Sequence, residues 1–173
     1  DDVQVQLVEY IKEFPDKMLI AINKRDPRVH DLYELTITTG ELKLVMENTG
    51  EVVEWIVNKK LEILAQIEMK KADGSYVLSV RDNVNAPWRE LGVWTAEDEA
   101  PAVYHFSKDG KYLYAVDGRN SNTTRFVKID VATGEVIVLA SDPEYDTAGS
   151  LLIDEDSLEP LALGYEKNRE HWV

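Results

Sequence analysis

Two adjoining runs, FSKDGKYLYAV (Phe106–Val116) and TTRFVKIDVATGEVIVL (Thr123–Leu139), decide the fold. They read as three short strands. The first follows an Asp109-Gly110 turn, where glycine accepts the left-handed backbone without steric cost. The other two flank Thr133-Gly134 as the arms of a hairpin. Such a unit carries apolar residues on both faces and is marginal alone, so it needs neighbours to stack on.

The rest of the chain supplies them. Val3, Val5 and Leu7 alternate with Gln4 and Gln6, which predicts a strand over Val3–Val8. A polar connection over Tyr10–Phe14, closed by Pro15-Asp16, leads to the apolar run Met18–Ile22, of strand length and suited to burial on both faces. The segment Asn23–Arg28 reads as too polar, and too interrupted by Pro27, to continue that strand. Asp31–Ile37 and Leu42–Met46 then form a hairpin about Thr39-Gly40. Glu51–Lys71 could be one amphipathic helix. However, Leu61, Ile63, Ala65, Ile67 and Met69 share one parity, and a helical stripe through Val57, Leu61 and Leu64 would meet Glu68. Two strands, Val52–Val57 and Leu61–Met69, fit better. Further strands are expected at Tyr76–Val80, Trp88–Trp94, Ala102–Phe106, Tyr112–Val116, Phe126–Val131, Val136–Ala140, Ser150–Ile153 and Pro160–Tyr165.

The turns Thr38-Thr39-Gly40-Glu41-Leu42 and Ala132-Thr133-Gly134-Glu135-Val136 match, and their glycines stand 94 positions apart, twice 47. Stepping 47 from Gly40 reaches Pro87, in the polar loop between the third and fourth strands of the middle set. Four strands per unit at a period of about 45 is the pattern of a β-propeller blade. The expectation is therefore an all-β chain forming one partial β-propeller domain over residues 1–173. Its antiparallel blades span about 3–48, 49–98 and 99–142, with an incomplete blade over 147–173. Because propeller rings use about four to eight blades, this set cannot close alone. An antiparallel sandwich would also use short, evenly spaced strands, but the 94-residue recurrence would then be accidental.

Composition narrows the partners. A net charge of −14 repels phosphate backbones and anionic lipid surfaces, so neither nucleic acid nor membrane is expected. Without cysteine there is no disulfide, thiolate metal site or cysteine nucleophile, and the reading expects a cytoplasmic protein with no cofactor. No apolar run approaches the roughly 20 residues that span a bilayer. The chain opens on Asp1-Asp2 without Met and stops at Trp172-Val173 directly after an apparent strand, so we expect a piece of a longer protein.

Three segments carry a resemblance: Asn23–Tyr33 followed by the Thr39-Gly40 hairpin, Asn85-Ala86-Pro87-Trp88-Arg89, and Asp142-Pro143-Glu144-Tyr145-Asp146. The motif Phe106–Lys111 resembles the blade repeat of Tol-associated bacterial propellers. Together these segments resemble the N-terminal propeller of bacterial prolyl-oligopeptidase-family serine peptidases, of the dipeptidyl aminopeptidase and acylaminoacyl peptidase branch, through Tyr165-Glu166-Lys167. The resemblance implies a C-terminal α/β-hydrolase domain as partner, with its serine on a Gly-x-Ser-x-Gly elbow, and a peptide as substrate of the parent protein. No Gly-x-Ser-x-Gly occurs here, and Ser75 and Ser150 only follow glycines. The chain itself is therefore expected to carry no catalytic triad and to limit access to a catalytic domain. The competing expectation is a stand-alone interaction module. A lyase or sugar-binding propeller is a third and weaker one. Open blade edges would let the isolated chain self-associate.

Candidate functional residues are few. His30 beside Asp31 reads as a hydrogen-bonded loop residue, His105 as a packed imidazole within a strand, and His171 as part of the unfinished blade. No two have metal-ligand spacing. The acidic runs Asp142/Glu144/Asp146 and Asp154-Glu155-Asp156 lack the ladder of a Ca²⁺ loop, and read as solvated loops. Trp55, Trp88 and Trp94 read as blade packing. Arg25 and Arg28, in the loop between the second and third strands of the first blade, and Arg119, in the equivalent loop of the third, are expected on one rim. They are the candidates for holding a peptide carboxylate or docking a domain. The alternative for them is structural pairing with Asp26, Asp31 and Asp117.

Overall fold

Antiparallel pairing of consecutive apolar runs organises the chain. The computed structural model describes residues 3–167 and 169–173, and Asp1-Asp2 at the start lies outside the described residues. Sheet 1 comprises β1 (Val5–Tyr10), β2 (Lys17–Asp26), β3 (Val29–Thr36) and β4 (Glu41–Met46). Sheet 2 comprises β5 (Val52–Val57), β6 (Ile63–Met69), β7 (Tyr76–Val80) and β8 (Arg89–Trp94). Sheet 3 holds β9 (Ala102–Phe106), β10 (Tyr112–Asp117), β11 (Arg125–Asp130) and β12 (Val136–Ala140). Sheet 4 holds β13 (Thr147–Ile153), β14 (Pro160–Glu166) and β15 (Glu170–Trp172). Within each sheet every strand pairs with its neighbour in sequence, and the described residues contain no helix. The protein is an all-β partial propeller, with three four-stranded blades and part of a fourth.

The matched turns occupy equivalent places. Thr39-Gly40 closes β3 onto β4 and Thr133-Gly134 closes β11 onto β12, with Gly40 at φ +72° and Gly134 at φ +76°. Each glycine N–H donates back across its turn at 2.8 Å, to the Thr36 and Asp130 carbonyls respectively. Pro87 lies in the β7–β8 connection, the corresponding place in sheet 2. The 94-residue recurrence is thus a recurrence of one turn in the first and third meanders.

Two local expectations need correction. Asn23–Asp26 does not leave the sheet: β2 runs on to Asp26, and Asp26 pairs with Val29 across a two-residue turn after an irregularity in register. Side-chain partners make this polar extension possible, because Asn23 donates to the Pro27 carbonyl and Arg25 finds Asp31. In the second sheet, β6 starts at Ile63 and not at Leu61. Leu61 sits at φ +57°, in the left-handed region, and its N–H closes a turn onto the Asn58 carbonyl.

The sheets stack through three apolar layers. Leu19, Ala21 and Leu32 of sheet 1 meet Trp55, Val57 and Ile63 of sheet 2, with Trp88 against them. Ile56, Ile67, Leu78 and Trp94 of sheet 2 meet Val103, Leu113, Ala115 and Val127 of sheet 3. Tyr114 and Phe126 of sheet 3 meet Leu163 and Tyr165 of sheet 4. Trp55, Trp88 and Trp94 are therefore packing residues, as their sequence setting indicates.

Polar ties cross two of these layers. The Trp94 indole N–H donates to Asp117 at 3.0 Å, and the Arg119 guanidinium lies 3.8 Å from the centre of the Trp94 ring. Between sheets 3 and 4, Tyr114 donates to Glu159 at 2.7 Å and Tyr104 to the Gly149 carbonyl at 3.0 Å. The far face of sheet 1 is apolar and open. Leu7, Ile20, Tyr33 and Leu44 align across its four strands, with Leu7 66% and Leu44 45% exposed.

Trp94 is fully buried, so Trp94→Phe preserves most of its bulk while removing a donor from the buried Asp117 carboxylate. Urea denaturation should show a loss of about 2–3 kcal/mol, whereas Trp172→Phe at an exposed position should stay within about 0.5 kcal/mol.

Candidate functional site

The β2–β3 hairpin end places two of the three candidate arginines together. Arg25 lies in strand β2, not in a loop, and donates through Nε and Nη2 to the two Asp31 carboxylate oxygens, each at 2.7 Å. A further bond at 3.0 Å reaches the Asn48 carbonyl, while the Asn48 N–H donates to Asp31 at 2.8 Å. Asn48 then fastens the passage into sheet 2, its Oδ1 accepting from Gly50 N–H at 2.7 Å and its Nδ2 donating to the Val52 carbonyl at 2.8 Å. Asp31 is completely buried. Hydrogen bonds from Arg25 hold its carboxyl below the usual aspartate range, against burial, which acts in the opposite direction. Arg25 is thereby committed to holding the link between the first two sheets.

Arg28 occupies the turn itself and is differently placed. It donates to Asp26 through Nε at 3.1 Å and Nη2 at 2.9 Å, yet its side chain is 86% exposed. These bonds, with the Arg28 backbone N–H adding to them, lower Asp26 to about 2. Arg119 sits apart, between sheets 2 and 3. It donates to both Asp117 oxygens at 3.0 Å and to the Val93 carbonyl at 3.3 Å, with its face on Trp94. Burial pushes Asp117 upward, but hydrogen bonds from Arg119 and Trp94 outweigh it and leave the carboxyl below its ordinary value. The structure thus joins Arg25 with Arg28 and holds Arg119 in a separate ion pair.

Two cavities meet at Arg28. One, of about 420 Å³, is lined by Arg25, Asp26, Arg28, Asn48, Thr49 and Lys71. The other, of about 450 Å³, lies between the first two sheets and is lined by Gln6, Leu7, His30, Glu54 and Trp55 among others. Arg28, Val29, Asn48 and Gly50 belong to both. His30 belongs to strand β3 and not to a loop, and its Nε2 makes no hydrogen bond within the described chain, contrary to the sequence expectation. The Trp55 indole nitrogen is likewise buried and unpartnered. Glu54 keeps much of its surface open, while its carboxyl, crowded by the wall, is pushed upward by desolvation. Lys71, Asn48 and Gln6 carried no signal in the sequence, because only the stacking of two sheets brings residues 6, 30, 48, 55 and 71 to one place.

The remaining candidates serve the scaffold. His105 Nδ1 lies 3.0 Å from the Phe106 carbonyl oxygen, and its ring packs 5.2 Å from that of Tyr114. Asp142 binds Lys167 at 2.8 Å and accepts from the Glu144 and Tyr145 backbone, and Asp154 accepts from Ser157. Ser75 Oγ donates to Asp73 at 2.7 Å within its turn. Among the described residues no group of three or more acidic or histidine side chains is arranged to hold a metal ion.

The class of protein is thus a partial β-propeller with a polar rim cavity. No protein-family model matches the chain. Over 159 residues, 91% of its length, it is 26% identical to dipeptidyl aminopeptidase BIII of Pseudoxanthomonas mexicana, and it spans 23% of the length of that relative. Among solved structures, TolB from Acinetobacter baumannii superposes with a TM-score of 0.67 at 11% identity, covering 98% of this chain and 39% of TolB. A prolyl endopeptidase superposes with a TM-score of 0.53 at 13% identity, covering 94% of this chain and 24% of its own. These two likenesses establish the fold, and the first relative supports the resemblance read from the loops.

Asp31→Asn should lower stability near neutrality by about 3 kcal/mol, because it leaves Arg25 without its anion. Asp31 has a folded-state value below its unfolded one, so its contribution is complete above the unfolded value, near 4, and vanishes as pH falls through the folded value. Denaturation of both proteins between neutral pH and strong acid should therefore show the gap closing at the acid end.

Proposed function

We propose that the chain is the non-catalytic propeller portion of a serine peptidase of the prolyl-oligopeptidase family, of dipeptidyl aminopeptidase type. The observation that carries this reading is the similarity to dipeptidyl aminopeptidase BIII along 91% of the chain, on a propeller fold. Its role is steric. Stacked blades form a wall beside a catalytic α/β-hydrolase domain, so that short peptides reach the nucleophile and folded proteins do not. The parent protein hydrolyses peptide bonds, and neither nucleic acid nor a membrane is its partner, in keeping with a net charge of −14.

Catalysis lies elsewhere in the parent, in line with the absence of a Gly-x-Ser-x-Gly elbow from these residues. The purified chain should give no turnover of an aminoacyl or dipeptidyl chromogenic substrate. Turnover abolished by a serine-directed inhibitor would overturn the proposal. A Gly-x-Ser-x-Gly encoded downstream of Val173 would support it, and a stop codon there would favour a free-standing interaction module.

One observation favours that second reading. Val5, Leu7, Leu42 and Leu44 on sheet 1 are 59%, 66%, 40% and 45% exposed, and β15 pairs on one side alone. Open apolar faces and strand edges recruit further sheets. The isolated chain should accordingly form dimers or larger species at micromolar concentration in light scattering. A strict monomer would count against self-association.

A further inference from the structure

Both ends of the sheet stack are uncovered. Within the chain each sheet passes apolar side chains to the next in one manner, from sheet 1 to sheet 2, from sheet 2 to sheet 3 and from sheet 3 to sheet 4. The face of sheet 1 turned away from sheet 2 has the chemistry of those buried layers. Leu7, Ile20, Tyr33 and Leu44 form one row across its four strands, and Tyr10, Met18, Leu35 and Leu42 form a second. Neither row contains a charged side chain, and Val5 beside Ile22 extends the same face.

Sheet 4 ends the stack on the other side. Leu151, Leu163 and Tyr165 meet sheet 3, so the alternating Leu152, Ala162 and Trp172 lie on the opposite face, where Leu152 pairs with Ala162 and Trp172 with Gly164. Leu152 and Trp172 are 54% and 47% exposed. Glu166 and Glu170 bound this apolar area at the β14–β15 turn.

We propose that two copies of this chain close head to tail, the outer face of sheet 4 of each covering the outer face of sheet 1 of the other. Continuity of the stack selects this occupant, because sheet 4 then passes to a new sheet 1 as sheet 1 passes to sheet 2. First strand meets first strand inside the chain, as β5 meets β9, so β13 of one copy lies over β1 of the other. Three strands cover β1, β2 and β3, and Leu42 and Leu44 on β4 stay at the periphery. Head-to-tail contacts give a ring where the rotation closes and a filament where it does not. Propeller rings hold about four to eight sheets, and two copies supply eight, so the stack closes at two with no apolar end left over. The inference deepens the self-association read from the open faces, fixing which faces meet and how many copies take part, and it does not depend on a peptidase parent.

Sedimentation equilibrium tests it at about 0.15 M salt, where the net charge of −14 is screened beyond about 8 Å. The expected mass is twice the 19.7 kDa of the chain, with no larger species as concentration rises. Val5→Glu alters sheet 1 and Leu152→Lys alters sheet 4, and both positions are more than half exposed, so each variant keeps the native circular dichroism. Each alone should weaken dimerisation at least about a hundredfold, since both interfaces of the ring then bury a charge. An equimolar mixture should recover a dimer with one copy of each, because sheet 4 of the first variant still fits sheet 1 of the second. A monomer, a mass that climbs with concentration, a mixture that stays monomeric, or a Leu152→Lys chain as dimeric as the unaltered one, which means sheet 1 on sheet 1, would each overturn the proposal. A climbing mass overturns the closed pair and leaves self-association in place, whereas a monomer overturns both, so the two failures are distinguishable.

Discussion

A four-stranded sheet with apolar residues on both faces is stable only when both faces are covered. That constraint organises this protein. Leu19 and Ala21 on one face of β2 require sheet 2, Ile56 and Trp55 on opposite faces of β5 require sheets on both sides, and Tyr114 and Leu113 divide in the same way in sheet 3. Alternation along each strand thus becomes the stacking of blades. Sheets 2 and 3, each covered twice, contain the completely buried Leu78, Val80, Trp94, Leu113 and Val127. Sheet 1 is covered once and turns Leu7 and Leu44 to the outside.

The parts of the fold visible in the sequence are those that depend on local chemistry. Glycines at Thr39-Gly40 and Thr133-Gly134 mark turns because only the residue in the left-handed conformation is constrained, and this constraint does not depend on distant partners. The parity of Ala65 and Ile67 separates strand from helix for the same reason, whereas Ile63, expected on the same face, turns to sheet 1 because the pairing is irregular between Ile56–Ala65 and Val57–Ile63. Reading fails where a distant partner decides. The polar run after Ile22 remains in the sheet because Asp31 lies opposite to receive Arg25, and composition alone could not disclose that. Leu61 is apolar and of the right parity, but the turn at Asn58 claims its backbone.

The arginines show the same division at the candidate site. Charge and loop position single out Arg25, Arg28 and Arg119 equally in the sequence. Burial of Asp31 and Asp117 then separates them, since a buried carboxylate demands a committed cation. Arg25 and Arg119 meet that demand, and Arg28, paired only with the surface-lying Asp26, remains accessible. His30 and Trp55 enter the site without any motif, because each was legible only as a loop or packing residue until the two sheets were stacked.

The distribution of polar ties has a mechanical meaning. Sheets 2 and 3 are joined by the Trp94–Asp117 bond and by Arg119 to the Val93 carbonyl, and sheets 3 and 4 by two tyrosine hydroxyls. Directional bonds of this kind fix the rotation of one sheet on the next, whereas apolar contacts tolerate sliding. Among the described residues no side-chain hydrogen bond runs directly from a strand of sheet 1 to a strand of sheet 2; the linker residue Asn48 bonds to both sides instead. The second, third and fourth sheets are thus tied to one another by directional side-chain bonds as well as by packing. Sheet 1 is held to sheet 2 by an apolar layer and by Asn48, so the polar fastening of the first two sheets lies in the linker, against the rim cavity, and not between strands.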